Sequence, residues 1–417
     1  MTFIYGKDGG EIHYDIELKN SDKRYDKKNE KEVYDFVGFI IQKDKILTVF
    51  PKYFFNDKKE LKKEDVTLLF NVISKYASEH RKDNEAYKYI GYKKNFESDY
   101  PFEDFYSIYD YYKKYGVYKD EEKVIKPNSN GKISWKDTIR RSNVLISNNN
   151  MMFLPIYTKK NSFKKDFIGE CMTYVINYTI RNFSYFINLN PIHVSGYKLD
   201  FIANKDYTIK QLRQCKNSVF KDHQKKLVNS LIDFFEKFDE KSSGGNIHFK
   251  INYFKYVWEK MVEKYLNDYF VEVDKKNKKL VFSENKINKN LFSKETFCIG
   301  KSTYEDVDNN KLRYLEPDHY GKEKKIIYVF DSKYYQYQEK DLTTNYKQIA
   351  YTFLLGNKQN SGEEEIYSAL IFPGEERYAL HIELNDDFAQ MKPGCNFIIE
   401  QYLDVRKVME NYLDILN

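Results

Sequence analysis

The run Ile326-Ile327-Tyr328-Val329-Phe330 is the feature that most constrains this chain. Five apolar residues, rich in β-branched and aromatic side chains, read as a packed strand. The run then turns abruptly polar, with Asp331 and Lys333 two residues apart. Side chains two apart on a strand share a face, so the carboxylate and the ammonium project together. Asp318, preceded by Pro317, stands thirteen residues before Asp331, and the midpoint between the two falls at Lys324–Lys325, in a GKEKK turn. A hairpin centred there carries both carboxylates to one end of the sheet. That constellation suits phosphodiester hydrolysis. Acids hold a divalent ion that polarises a phosphoryl oxygen and activates water, while the lysine orients the water or stabilises developing charge. A surface Asp/Lys pair closing an edge strand is the alternative.

The surroundings add matching parts. A helix over about 253–269 places Phe254, Val257, Trp258, Met261 and Tyr265 on one face, with Glu259 at the edge of that face as a further acid. After the hairpin, a helix from about Thr343 to Leu355 is expected to bury a stripe of Tyr346, Ile349, Ala350, Phe353 and Leu354. Gln348 and Tyr351, three apart, then share an adjoining face that can look toward the site. Thr343 or Thr344 would cap its start and Gly356 its end. Strands at 366–372 and 377–384 and a closing strand and helix from Phe397 complete an α+β layout, a mixed sheet flanked by helices.

Upstream, residues 33–54 read as a hairpin about a QKDK turn, followed by a helix over 61–77. Residues 99–120 resist assignment. KISWKDTIRRS and NMMFLPIYT, on either side of residue 145, read as short strands or turns. A boundary is placed near Lys159, where KKNSFKK looks like a linker, and another at the KSSGG of residues 241–245. Three segments result: a β-rich region over 1–158, a helical section over 159–245 and a last domain over 246–417.

Composition removes several classes. The 417 residues carry 69 basic and 63 acidic side chains, a balance compatible with nucleic acid but weakly diagnostic. Lys-rich stretches at 205–226 and 275–294 are read as phosphate-contacting or simply solvated. The four cysteines lie far apart with no CxxC pair, so neither a disulfide framework nor a Cys/His zinc site is expected. Any metal would then be held by carboxylates, which points to a hard ion such as Mg2+. No apolar run spans a bilayer and the opening lacks a signal-peptide layout, so a cytoplasmic protein without membrane contact is expected. No GxxxxGK[ST] loop occurs, so the chain should not hydrolyse nucleotide itself.

Taken together, FVGFI with ILTVFPKYF, GKISWKDTI, YVWEKM, the EPD/DSK pair, KQIAY and the later IFPG resemble the LlaJI-type restriction endonuclease subunits, McrC-like nuclease subunits of the PD-(D/E)xK superfamily. The resemblance spans most of the chain and implies a C-terminal restriction-endonuclease-like domain. By it, Asp318 and Asp331 would be metal ligands for Mg2+ or Mn2+, joined by the Ser332 backbone carbonyl and Glu259. Lys333 would be the catalytic lysine, and Gln348 with Tyr351 would match the Q/Y element of RecB-like nucleases, here spaced Q-x-x-Y rather than Q-x-x-x-Y. The resemblance also implies double-stranded DNA as substrate and a separately encoded AAA+ GTPase as partner, docked on the N-terminal region. Arg140 and Arg141 are candidates to reach that partner's nucleotide pocket, although an ordinary basic turn is the commoner meaning of such a pair. Two rival readings stay open, a catalytically silent tethering subunit and a stand-alone structure-specific nuclease.

Overall fold

A computed structural model describes residues 2–12, 16–27, 29–42, 45–55, 61–79, 96–147, 150–164, 167–187, 189–197, 199–238, 246–301, 312–335, 345–358, 364–385 and 396–416. It is an α+β protein whose chain divides into two compact units, residues 1–100 with 241–417, and residues 101–240.

The first unit contains two large sheets. One has five strands in the order Thr2–Lys7, Lys45–Phe50, Val37–Gln42, Asn246–Ile251 and Phe96–Ser98. Its hairpin partners pair as Gly38 with Val49 through Gln42 with Lys45, as the two apolar runs around the QKDK turn require. Helix Lys63–Glu79, expected over 61–77, buries Val66, Leu69, Phe70 and Ile73 on one face. The other sheet has six strands in the order Phe292–Ser293, His319–Glu323, Ile326–Ser332, Glu365–Pro373, Phe397–Leu403 and Arg377–Glu383. Its three central members, Ile326–Ser332, Glu365–Pro373 and Phe397–Leu403, run parallel. Parallel strands are covered on both faces, which explains why the first two of them are nearly continuous apolar runs. Helix Lys255–Tyr269 and residues Phe270 and Phe292 pack by one face, against Tyr328 and Phe330. On the opposite face lies helix Asn345–Lys358, with Tyr351 and Leu355 against Ile327, Val329 and Ile366.

The second unit holds helices Phe102–Tyr115, Trp135–Arg141, Phe167–Asn182, Lys205–Lys216 and Asp222–Lys237. Residues 99–120, unassigned from sequence, thus supply a helix, and the WKDTIRR expected as strand or turn is also helical. A three-stranded sheet is ordered Asp120–Pro127, Tyr157–Lys164, Lys132–Ile133. A separate hairpin joins Asn143–Ser147 to Asn150–Leu154.

These units do not follow the three sequence segments. Lys159, read as the start of a linker, lies inside a strand and pairs with Ile125. Asn246–Ile251, read as the entry to the last domain, instead pairs with Val37–Gln42 of the N-terminal sheet. Neither pairing has a local signature, because both join segments far apart in sequence. The KSSGG stretch itself, like Thr343 and Thr344, lies outside the described residues.

Candidate active site

The site is built on the end of strand Ile326–Ser332. Lys324 takes φ 55° in the turn before it, and the ladder runs from Glu323 opposite Ile326 to His319 opposite Phe330. One step further along that register sets Asp318 across from Asp331. The expected hairpin is therefore present, and upstream of it Leu312–Leu315 pairs instead with Phe297–Lys301.

Asp318 and the central strand are fastened directly. The Ser332 N–H donates to Asp318 Oδ2 at 2.9 Å. Asp331 is 2% exposed, and Lys333 Nζ donates to its Oδ2. The other oxygen, Asp331 Oδ1, is buried and has no hydrogen-bond partner among the described residues. A carboxylate left half-satisfied in a dry position carries a cost of several kcal/mol, of order ~3, unless a cation or donor reaches it.

Glu259 approaches from helix Lys255–Tyr269, placed there by the fully buried Trp258 beside it. Burial, and next the negative charge of Asp318, push its carboxyl up to about 7, against the pull of Lys294 and Lys255. Lys294 Nζ stands 3.7 Å from Glu259 Oε2. Burial lowers the Lys333 ammonium from its ordinary value, opposed by Asp318 and Glu259 and assisted by Lys347. Asp318, Asp331, Lys333 and Glu259 therefore share one electrostatic neighbourhood in which negative charge is under-compensated.

His319 belongs to this neighbourhood and escaped the sequence reading. It is buried, its Nε2 pairs with Ser332 Oγ at 2.7 Å, and its Nδ1 has no partner among the described residues. Burial pushes its imidazole down to about 4, so the ring is neutral at physiological pH. The only sequence signal was its place directly after Pro317-Asp318.

Gln348 and Tyr351 are placed differently. Gln348 is buried, and its Nε2 donates to the Val329 carbonyl at 2.7 Å and to Ser368 Oγ at 2.8 Å. Tyr351 packs in the cluster of Leu315, Ile327, Val329, Leu355 and Ile366. Both fasten the helix to the sheet. The core stripe expected for this helix is consequently corrected. Tyr346, Phe353 and Leu354 are exposed, whereas Gln348, Tyr351, Thr352 and Leu355 are buried. The helix turns its amide inward because the strand carbonyl and Ser368 satisfy it there, at the expense of three larger apolar groups. It also continues through Gly356 to Lys358 rather than ending there.

The donors of Asp318, Asp331 and Glu259 are not drawn together as tightly as a coordination sphere. Among the described residues, the set of three acidic or histidine side chains with ligand atoms within 4.8 Å of one another is Glu97, Asp99 and His248. That set is already neutralised. Glu97 pairs with Lys19 and, at 3.2 Å, with the buried Lys250, while His248 Nδ1 meets Asp99 Oδ2 at 2.7 Å. Both carboxyls are correspondingly held below their ordinary values against desolvation by burial. The unmet oxygen of Asp331 and the proton-holding Glu259 fit a hard divalent cation better.

Arg140 and Arg141 end helix Trp135–Arg141 in the second unit, and both are exposed. Arg141 is partly engaged, 3.7 Å from Asp137 and 5.7 Å from the Tyr157 ring centre. The adjoining hairpin is unusually apolar for a surface: Ile146 is 70% and Met151 67% exposed, beside exposed Val144, Leu145, Met152 and Leu154.

No helix among the described residues is long and apolar enough to cross a membrane.

Asp318, Asp331, Lys333 and Glu259 thus gather at one strand end of a mixed sheet. The family model for the LlaJI restriction endonuclease matches residues 36–402, and the chain belongs to that family. Among solved structures it is similar to a half-complex from a tetradecameric assembly of Thermococcus gammatolerans McrB AAA+ hexamers with bound McrC, at 13% identity and a TM-score of 0.39, over 100% of this chain and 99% of that one. No curated protein matches.

Proposed function

We propose that this chain is the DNA-cutting subunit of a GTP-dependent restriction system, with a metal-dependent site of the PD-(D/E)xK type. The observation that carries the reading is the buried, unpartnered Asp331 oxygen at a strand end shared with Asp318, Lys333 and Glu259. Family membership supports nuclease activity.

Asp318, Asp331 and Glu259, with the Ser332 carbonyl, would hold Mg2+ or Mn2+. When bound, such an ion supplies Lewis acidity and a lowered pKa for water. The chain's own residues do the rest. The Ser332 N–H fixes the Asp318 carboxylate, so that acid cannot swing away from the strand end. Lys333 offsets charge on Asp331 and, partly buried, would present its ammonium to a phosphate bound beside that carboxylate. Glu259, its carboxyl pushed up to about 7 in the metal-free protein by burial and by Asp318, would give up that proton to serve as a ligand. Gln348 and Tyr351 would contribute by holding their helix against the strand.

An AAA+ GTPase is the proposed partner, contacted through the region before residue 159. The exposed apolar hairpin Asn143–Leu154, with Arg140 and Arg141 beside it, supports that placement. The substrate is double-stranded DNA. Plasmid cleavage by the purified chain, with and without its genomic neighbour and with EDTA or Mg2+, tests the proposal. Metal-dependent cutting that requires the neighbour is expected. Cutting by the chain alone would favour a stand-alone nuclease, and no cutting under any condition would favour a tethering role.

A further inference from the structure

The chain leaves the six-stranded sheet immediately after the Asp331–Lys333 pair. The Lys333 N–H still reaches the Ile371 carbonyl at 2.8 Å, but Tyr334 and Tyr335 are no longer strand. Successive side chains of an extended segment alternate sides, so Lys333 keeps to the side of Asp331 and Tyr334 to that of Ser332. Tyr334 does not run into solvent. Its ring meets Phe254 at 5.5 Å, and its hydroxyl accepts the Lys52 backbone N–H at 2.9 Å. The buried Asp8 carboxylate acts on the same hydroxyl: burial first, and Asp8 next, hold the phenol in its protonated form. Lys52 Nζ lies 5.3 Å from the ring centre.

Both partners are fixed in turn. Asp8 and Lys52 are buried, Asp8 follows strand Thr2–Lys7, and the Asp8 N–H donates to the Phe50 carbonyl at 2.9 Å. Lys52 follows Phe50-Pro51, so the FPK element, which no step of the proposed reaction uses, ends on a backbone N–H bonded to Tyr334, the residue next to Lys333.

We propose that Tyr334 is a positioning residue for Lys333, latched by Asp8 and Lys52 so that the N-terminal sheet sets where that ammonium points. The inference rests on the reading of Lys333 as the catalytic lysine. A four-carbon side chain has many rotamers, and a catalytic group must be held to within about 0.5 Å to be effective. Lys333 is held by its backbone, and that backbone is gripped on one side by Ile371 and on the other by Tyr334. Among the described residues, the strand Thr2–Lys7 that carries the Asp8 turn is an edge strand, paired with Lys45–Phe50 alone. Edge strands are the part of a sheet most readily displaced. A disturbance there releases the latch without touching the carboxylates.

The test uses the full chain and two readouts. Trace acetylation of lysines, read by mass spectrometry in EDTA without DNA, reports the reactivity of Lys333 relative to Lys225 of the other unit. Tyr334→Phe removes the hydroxyl and keeps the ring, Asp8→Ala removes the acceptor, and Asp8→Asn retains an acceptor oxygen. Tyr334→Phe and Asp8→Ala are expected to change Lys333 reactivity at least about threefold, with Asp8→Asn close to the parent, as loss of one hydrogen bond to a charged group allows. In metal-dependent plasmid cleavage with the partner present, Tyr334→Phe is expected to lower the rate at saturating DNA at least about tenfold with half-saturation unchanged. Unchanged Lys333 reactivity in both Tyr334→Phe and Asp8→Ala overturns the latch. So does a rate loss that Asp8→Asn shares in full, or one that tracks the fraction unfolded in melting curves. Full cleavage by Lys333→Ala would instead sink the catalytic reading, and the acetylation result would still decide the latch.

Discussion

Replacing Glu259 by Gln is expected to stabilise the metal-free protein, and to do so more as pH rises. The Glu259 carboxyl is pushed from 4.5 up to about 7 by burial and by Asp318. In that window the folded state holds a proton that the unfolded state has released. Its contribution to stability is therefore intact below the unfolded value and lost as pH rises through the folded one. At about 1.4 kcal/mol per pH unit the shift costs the folded protein up to ~3 kcal/mol once pH exceeds the folded value. The side chain is 22% exposed with Lys294 3.7 Å away, which makes that figure a ceiling. Buried His319, pushed down to about 4, acts in the opposite sense, lending stability above 6.5 that is lost as pH falls. Both proteins keep His319, so the difference between variant and parent isolates Glu259. Urea unfolding in EDTA would give a difference near zero at pH ~4.5 that grows to ~2–3 kcal/mol by pH ~8.5. Added Mg2+ would stabilise the parent at the higher pH and the variant much less. Parallel pH profiles, with a constant offset between the two proteins, would refute the burial of Glu259 beside Asp318 as the source of its raised carboxyl.

Asp331→Asn and Lys333→Ala are each expected to abolish metal-dependent plasmid cleavage; Lys333→Ala should also lose ~3 kcal/mol or more of stability by leaving Asp331 buried with neither oxygen neutralised. Full activity in either variant would remove the site. Joint substitution of Arg140 and Arg141 by Ala should reduce GTP hydrolysis by the partner while leaving this chain's melting temperature unchanged, both side chains being exposed; unchanged hydrolysis would retire the arginine role. The isolated chain should bind duplex DNA weakly, with affinity falling steeply as salt rises and no preferred site, because lysines contact phosphate as point charges. Enrichment of one defined motif in a binding-site selection would show that specificity had been assigned to the wrong polypeptide.

What was legible in the sequence was local. The IIYVF run, the turn at Lys324–Lys325 and the Val257, Trp258, Met261, Tyr265 stripe each act through neighbours a few residues away, and each stands in the fold as read. The helix after the site was read on the wrong face because hydrophobicity alone ranks Phe353 above Gln348. Burial of Gln348 depends on an acceptor at Val329 and on Ser368, and no helical periodicity records that partner. The return of Asn246–Ile251 to the N-terminal sheet and the bond of Lys52 to Tyr334 were illegible for the same reason, being contacts between residues over two hundred apart. His319 was overlooked because a buried neutral histidine differs from a surface one only in its three-dimensional surroundings.

The five-stranded sheet imposes an order on biosynthesis. Val37–Gln42 lies between Lys45–Phe50 and Asn246–Ile251, so its second edge stays open until residue 251 has left the ribosome. At ~5–20 residues per second that is a wait of roughly 8–30 s after residue 100 has been made. The latch residues Asp8 and Lys52 are translated first, yet Tyr334 reaches them only later still. A nascent chain therefore exposes a half-finished sheet before the strand that carries Asp331 and Lys333 has been made.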